Sequence, residues 1–462
     1  QLELISPYMR FTFLPTILFL LSGVLLREPA VAAELTRRPD PDLEVGRQAY
    51  LDNCARCHGA TGAGDGRDAD NMFPRPRPLS EGVFKFRTTA SGTPPTDEDL
   101  FHILSEGLPG SRMPDFQRLP EEIRWQLVSY VKSFAPIFKE QKPEPIPLGT
   151  DPGFQKANLE HGRELYTQLG CNACHGALGR GDGPSAPTLV DQWSQPIQAA
   201  DLTQGWSYRS GSAPRDILTR LMTGLDGTPM PSYAEAVSPN EVWDLAYYVH
   251  SLQVKPQWAK RVEAVRVSGD LPEDPSDARW QAASRADLRL SSIFYKEGKI
   301  LPTRVNAISM QALYNEEAIL FRLSWHDPSE TRTWPVDSLA LVFIPEKDLI
   351  KVGSLRSWPA TRDAPALDYC YWSASEGDAF ETNPVGIGAP FGEKIISFET
   401  LPIESQAFYA KGQWVLLLKR RLRRATTQPQ APIFIGIAVW DGGNNEVGRR
   451  RANSRWVSLV LK

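Results

Sequence analysis

The sequence predicts a multidomain protein, with two all-α domains in tandem followed by an all-β antiparallel sandwich. Three observations carry this prediction. At 462 residues the chain is too long for one ordinary core. Its first half holds two related segments whose cysteine motifs, at 54 and 171, lie 117 residues apart. From about Asp277 apolar residues alternate with period two rather than recurring at helical spacing. Hydrophobic and aromatic residues, 41% and 10% of the chain, suffice for folded domains and exclude extensive disorder. A formal charge of −4 gives no electrostatic reason to expect nucleic acid. Four of the five cysteines fall into two identical short motifs, which excludes a disulfide framework.

The N-terminal segment reads as an export signal. Residues Gln1 to Tyr8 precede the first plausible start, Met9, and Arg10 supplies a positive charge. An apolar run over residues 11–26 leads to the small residues Ala30, Val31, Ala32 and Ala33, a candidate cleavage site. The run is shorter than the roughly 20 residues of a spanning helix. Residues 1–33 are therefore expected to be a cleaved signal peptide, with an uncleaved membrane anchor as the alternative.

The two helical domains follow from the repeat. GRQAYLDNCARCHGATGAGDG around Cys54 matches GRELYTQLGCNACHGALGRGDG around Cys171. The offset of 117 also relates His58 to His175, Gly64 to Gly181, Asp65 to Asp182, Gly107 to Gly224, Met113 to Met230 and Pro114 to Pro231. It becomes 118 for Trp125 with Trp243 and Tyr130 with Tyr248. Each unit is expected to run from a helix bearing Gly-Arg-x-x-Tyr into the cysteine motif. A short helix (97–106; 214–223), a Gly-x-x-Gly-x-x-Met-Pro loop and a closing amphipathic helix (120–134; 239–252) follow. The predicted domains are 42–135 and 155–253, with a Pro-rich linker over 136–154 and a second linker over 254–276.

Cys54-Ala-Arg-Cys57-His58 and Cys171-Asn-Ala-Cys174-His175 are the chemical signal. Two thiols at this spacing can form thioethers to the two vinyl groups of one porphyrin, and the next residue can bind its iron. A zinc ribbon would place its second pair about 15–20 residues away, whereas these pairs are 117 apart. A redox dithiol would accompany a β-α-β pattern, which is missing, and would not need the histidine. Two covalent c-type haems are the expectation, and attachment of such haems outside the cytoplasm in bacteria agrees with export to the periplasm.

The sixth iron ligands follow from the repeat. Met113 and Met230 each lie 55 residues after their histidine, in a Gly-rich loop ending in Met-Pro. Met72 and Met222 have no repeat partner and are assigned to core or surface. His/Met ligation favours ferrous iron and fills both axial positions, which points to electron transfer rather than catalysis. His102, His161 and His250 are unpaired and are expected at the surface or in caps. Arg87 and Arg209, in Phe-Arg-Thr and Tyr-Arg-Ser settings, are candidate contacts for haem propionates.

On these residues both units resemble class I cytochrome c domains. The resemblance covers about residues 42–135 and 155–253 and carries the haem-binding roles onto Cys54, Cys57, His58, Met113, Cys171, Cys174, His175 and Met230. The stretch between haem motif and methionine is longer than in the smallest members.

In the C-terminal part, candidate strands are 304–310, 318–325, 338–344, 367–372, 394–398, 413–419, 433–440 and 455–461. With no helices between them they suggest an antiparallel sandwich over 277–462. Leu-Ser-Trp325-His-Asp327-Pro, the stretch from Asp337 to Phe343, Tyr371-Trp372, Gly412-Gln-Trp414-Val and Ala438-Val-Trp440-Asp441-Gly442 resemble the haem-binding γ subunits of ethylbenzene dehydrogenase, dimethylsulfide dehydrogenase, selenate reductase and nitrite oxidoreductase. That resemblance implies a third, non-covalent haem b held by methionine and lysine. The sequence departs from it: no methionine follows Met310, which lies a strand too early, and Lys347, Lys351, Lys394 and Lys411 are all candidate lysines. Cys370 reads as a buried small hydrophobe. The basic runs 419–424 and 449–451 read as solvated hairpin ends or as a surface steering an acidic redox partner.

The leading functional expectation is a periplasmic dihaem cytochrome, a non-catalytic electron-transfer subunit or partner of an exported molybdenum oxidoreductase. The alternatives are a dihaem peroxidase, which needs one haem with an open distal side, and a cytochrome whose sandwich is a binding module while its haems feed a terminal oxidase. Its partners are redox proteins, with a membrane involved only if the N-terminal segment is retained.

Overall fold

The computed structural model describes residues 38–292, 303–352, 368–375, 379–382, 400–422, 433–448 and 450–462. The expected export signal (1–33), the expected strand 394–398 and Lys394 lie outside the described residues, as do the side chains of Lys347 and Lys351. Among the described residues no helix is long and apolar enough to cross a membrane. The described helices and strands all belong to the unit Pro41–Lys462.

Each cytochrome-like repeat is a small helical cluster whose helix starts are written in its sequence. In the first, α1 (Leu43–Asn53) begins where the Asp42 carboxylate accepts the free amides of Glu44 and Val45. The single turn α2 (Ala55–His58) follows. Thr96 and Asp99 form a reciprocal capping box at the start of α3 (Asp97–Glu106), and α4 (Glu121–Lys132) closes the unit. Tyr50, Leu100, Leu104, Phe116, Leu127 and Val128 fill the core. In the region expected to be a linker, a short α5 (Ile137–Glu140) forms. That region is tied to both repeats, through Ile146 N–H to the Thr88 carbonyl (2.9 Å) and Tyr247 Oη–H to Asp151 (2.7 Å).

The second repeat reproduces the plan with α6 (Leu159–Gln168), α7 (Cys171–His175), α8 (Pro214–Thr223) and α9 (Pro239–Ser251). Pro214 and Pro239 sit in the first turn, where a missing amide costs nothing. The closing helix packs across the first one in both repeats. Gly46 and Gly162 make this crossing close, because a Cβ at either would collide with the carbonyl of Gln126 or Asp244.

The C-terminal region is a strand-rich domain. Its strands are β1 (Arg261–Arg266), β2 (Ala286–Ser292), β3 (Ala307–Tyr314), β4 (Ala318–His326), β5 (Ser338–Pro345), β6 (Asp368–Ser373), β7 (Ala379–Thr382), β8 (Thr400–Ala410), β9 (Gln413–Arg421), β10 (Ile433–Trp440), β11 (Ala452–Ser454) and β12 (Val457–Leu461). Pairing runs in a circuit, since β10 bonds β5 along its whole length and β3 and β10 each divide their other edge between two partners. Leu288, Met310, Phe321, Leu341, Ile437 and the tryptophans Trp325, Trp372 and Trp414 fill the enclosed core. The rings of Trp372 and Trp414 meet edge to face, with centroids 5.1 Å apart. Such an aromatic pair adds about 0.5–1.5 kcal/mol to simple burial.

The structure corrects three expectations. The span 254–276 is not wholly linker, because β1 lies within it and buries Val262 and Ala264 completely. The domain is not purely antiparallel either, since β1 runs parallel to both β12 and β3. Nor is the run 449–451 simply a solvated end: Arg451 is fully buried, bonds Asn453 (3.0 Å) and lies over Trp440.

Candidate functional site: two cysteine–histidine turns and the seam between them

The helical turns α2 and α7 decide what the motifs can hold. Residues three and four apart share a helix face, so Cys54, Cys57 and His58, and likewise Cys171, Cys174 and His175, can meet one flat ligand. All four cysteines are free of disulfides. Burial pushes the Cys54 thiol up to about 12, with Cys57 adding to the shift, and also raises Cys57 and Cys171. A redox dithiol needs accessible thiolate. Thiols held neutral against an apolar cluster suit thioether formation instead.

Both histidines are held neutral by burial. His175 Nδ1 lies 2.9 Å from the Ala200 carbonyl, which can only accept, so the proton sits on Nδ1 and Nε2 is left free to bind iron. The Arg77 backbone stands in the corresponding place for His58 but falls short of hydrogen-bond geometry, leaving His58 Nδ1 buried without a partner.

Met113 packs on the same apolar cluster as Cys54, and Met230 on the same cluster as Cys171. Their loops are alike in detail. Leu108 N–H donates to the Met113 carbonyl and Leu225 N–H to that of Met230, both at 3.1 Å. Gly107 and Gly224, at φ +67° and +66°, open these loops, and a Cβ at either would come within 2.6 Å of backbone. Met222, unpaired in the repeat, packs in the core of its own unit, and Met72 is half-buried. The unpaired histidines sit in their helices: His161 pairs with Asp244 (2.9 Å), and His250 Nδ1 lies 3.1 Å from the Ser212 carbonyl.

Two residues that sequence reasoning left without a role are tyrosines. Tyr50 Oη–H donates to the Gly59 carbonyl (2.8 Å) and Tyr166 Oη–H to that of Gly176 (2.7 Å), fixing the residue that follows each histidine. The Gly-Arg-x-x-Tyr repeat was the signal that could have found them.

The predicted propionate contacts part company. Arg87 is 1% exposed, and its donors go to the Phe84, Ala90 and Thr223 carbonyls and to Asp226 at 2.8 Å, so it ties the first repeat to the methionine loop of the second. Arg209 has no such commitment among the described residues. It joins Arg77 and Lys85 in a group of cations at the seam, where burial, with Arg209 and Arg77 adding to it, pushes Lys85 down to about 7. Nearby Arg220 is pushed down to about 10 by burial, and its Nε and Nη1 are buried with no partner. Buried cations with orphaned donors call for an anionic partner, and the carboxylates of a bound porphyrin have that chemistry.

The haem b candidates in the strand-rich domain do not converge among the described residues. Met310 is wholly enclosed in β3, while Lys411 lies exposed in the turn before β9, its carbonyl accepting from Arg180. Cys370 is fully buried in β6, as a small hydrophobe would be.

Fold and motif together define a helical haem-c-binding domain in two copies. The cytochrome c family model matches residues 43–135 and 159–253, so both helical units are cytochrome c domains, and the family implies covalent haem c. The chain is thus a cytochrome c electron-transfer protein. A protein of Haloferax mediterranei named as a putative respiratory nitrate reductase haem subunit, ORF7, is 24% identical over 208 residues, spanning 42% of this chain and 70% of its own length. The cbb3-type cytochrome c oxidase subunit FixP of Azorhizobium caulinodans is 26% identical over 239 residues, 48% of this chain and 68% of its own. A chain of the Kuenenia stuttgartiensis reducing HAO-like protein complex Kustc0457/Kustc0458 is 42% identical, covering 46% of this chain and 96% of its own, with a TM-score of 0.44.

Proposed function

We propose that the chain is an exported, periplasmic dihaem electron-transfer subunit of an oxidoreductase complex. The observation that carries this reading is the duplicated site, in which one protein face offers two thiols and a neutral imidazole and the same apolar cluster holds a loop methionine. Cys54 and Cys57 would attach one haem, and His58 and Met113 would hold its iron. Cys171 and Cys174 would attach the other, with His175 and Met230. A haem so held supplies a reversible one-electron iron couple. The chain's own part would be to bind and orient it, to offer an imidazole and a thioether to its iron, and to neutralise its propionates, a role we assign to Arg209, Lys85 and Arg220 at the seam.

The partner is proposed to be an oxidoreductase, with an exported molybdenum enzyme favoured by the γ-subunit-like pieces of the strand-rich domain. The relatives named as subunits of a nitrate reductase and of cbb3-type oxidases support the subunit role. A third haem in the strand-rich domain is not part of this proposal, because Met310 is committed to the core and Lys411 faces a cytochrome domain. Purification of the native protein tests the reading: it should co-fractionate at constant ratio with the subunits of one oxidoreductase and rereduce on addition of that enzyme's substrate. Isolation as a lone monomer that no oxidoreductase reduces would contradict it.

A further inference from the structure

At one end of the strand circuit, carboxylates from the ends of three strands come together. Asp327 follows β4, Asp337 precedes β5 and Asp441 follows β10. All three are fully buried, and one oxygen from each lies within 4.8 Å of the others. Asp337 is satisfied by the amides of Thr331 (2.8 Å) and Gly442 (2.8 Å) and by Trp414 Nε1–H (3.1 Å). The other two are satisfied on one side only. Asp327 Oδ1 accepts from Ser329 N–H (3.0 Å) and Asp441 Oδ1 from Asn444 N–H (2.9 Å), while Oδ2 of each is buried with no partner at all.

We propose that Asp327, Asp337 and Asp441 form a structural binding site for one divalent cation of the calcium type. The donors are all oxygens, which selects a hard cation over zinc or copper. Calcium accepts oxygen ligands in flexible number and geometry, whereas magnesium demands a near-ideal octahedron and keeps several waters, which three fully buried carboxylates do not leave room for. A single ion meets both orphaned oxygens at once, and the amide bonds to the remaining oxygens already hold the carboxylates in place. Arg304 and Arg450 act on Asp441 from outside, and among the described residues neither forms an ion pair with the three. Glu446, also buried, bonds the Asp441 amide (3.2 Å) and Asn444 (2.9 Å) and orients this corner.

The site would brace the surface that meets the second cytochrome domain. Asp327 N–H donates to the Gly412 carbonyl (3.0 Å), and the adjoining Lys411 carbonyl accepts from Arg180, while His326 stands 3.9 Å from Asp182. Arg180 and Asp182 lie just beyond the Cys171 motif.

The haem-loaded full chain serves as the test material. After gel filtration, elemental analysis should find about one calcium per chain in addition to iron. Chelation should lower the unfolding midpoint read by tryptophan fluorescence, to which Trp414 at the site contributes, and calcium should restore it where magnesium does not. Asp441→Asn, which keeps the Oδ1 acceptor, should lose that calcium response. A chain without calcium whose midpoint ignores both chelator and millimolar calcium would overturn the proposal, and restoration by magnesium alone would overturn the calcium assignment. Should D441N fail to fold, the metal content and chelator response of the unaltered chain still decide.

Discussion

In the first cytochrome domain the chain returns from Gly64 to Pro76, beneath the histidine; in the second the same path, from Gly181 to Ala199, is longer. The extra length carries Trp193 to the first domain, where it stacks under Arg77 at 5.0 Å and donates to Glu81 at 2.8 Å. The next stretch reverses the difference. The path from Leu79 to the start of α3 at Asp97 is longer than its counterpart, from Leu202 to the start of α8 at Pro214, by the same amount. The first domain's surplus holds Arg87, Ser91 and Gly92, all of which grip Asp226. The lesson is that the two copies agree where they hold haem and diverge, reciprocally, where they hold each other. A cofactor site tolerates no change in spacing, whereas the connecting segments were free to become an interface.

The largest expected effect breaks the equivalence outright. Replacing Cys171 and Cys174 with serine should halve the covalent haem content, and the Cys54 and Cys57 pair should do the same for the other domain, as read by haem-stained gels and iron analysis. Next, Met113→His and Met230→His should each lower the potential of one haem only, by on the order of 0.2 V within the range of about 0.8 V that axial ligands span. In the unaltered protein the second haem should have the lower potential, because the bond from His175 Nδ1 to Ala200 makes that imidazole the stronger donor to ferric iron, and the Arg77 backbone beside His58 Nδ1 falls short of that geometry. A potentiometric titration of the single-haem variants checks the order.

At the seam, Arg87→Met should cost about 3–5 kcal/mol by depriving Asp226 of its buried cation. Thermal unfolding would measure this, with haem content unchanged. Combining it with Asp226→Asn should cost less than the sum of the two. Tyr50→Phe and Tyr166→Phe should each cost roughly 0.5–1.5 kcal/mol, the net worth of one hydrogen bond, because the Gly59 and Gly176 carbonyls keep the amides of Gly62 (3.3 Å) and Gly179 (3.1 Å).

The smallest effect is confined to the second domain. The Asp244 hydrogen bond raises the pKa of His161 above 6.5. The folded form therefore binds this proton more tightly than the unfolded chain, so the contribution is present below pH 6.5 and fades as pH rises through the folded value. His161→Gln should remove that slope, and the first domain has no histidine in the corresponding turn of α1 to supply one.

Much of this was legible in the sequence wherever chemistry dictates residue type and spacing. The Cys-x-x-Cys-His runs, the methionines at their fixed distance beyond, and helices α3 and α8 all lie where their motifs and caps placed them. Strands such as β4 and β10, long runs rich in apolar, β-branched and aromatic residues, were equally plain. The opposite shifts in loop length were hidden because they cancel: the histidine-to-methionine spacing is the same in both copies, so the repeat reads as ungapped. Strand β1 gave only a faint local signal, Val262 and Ala264 alternating with charged residues over six positions, and it is held by the distant β3 and β12. Arg87 and Arg209 stand in similar sequence settings but part in role, because the longer first-domain segment turns Arg87, with Ser91 and Gly92, onto Asp226. Asp327, Asp337 and Asp441 become a cluster only when the ends of three strands meet, which no sequence window displays.

The proposed function stands on two covalent haems per chain, held at two equivalent, fully ligated sites. A pyridine haemochrome spectrum of the purified full chain, set against its protein concentration, tests it most directly. Two c-type haems per chain and no b-type haem are expected. One haem c per chain, or a b-type component in the strand-rich domain, would contradict it.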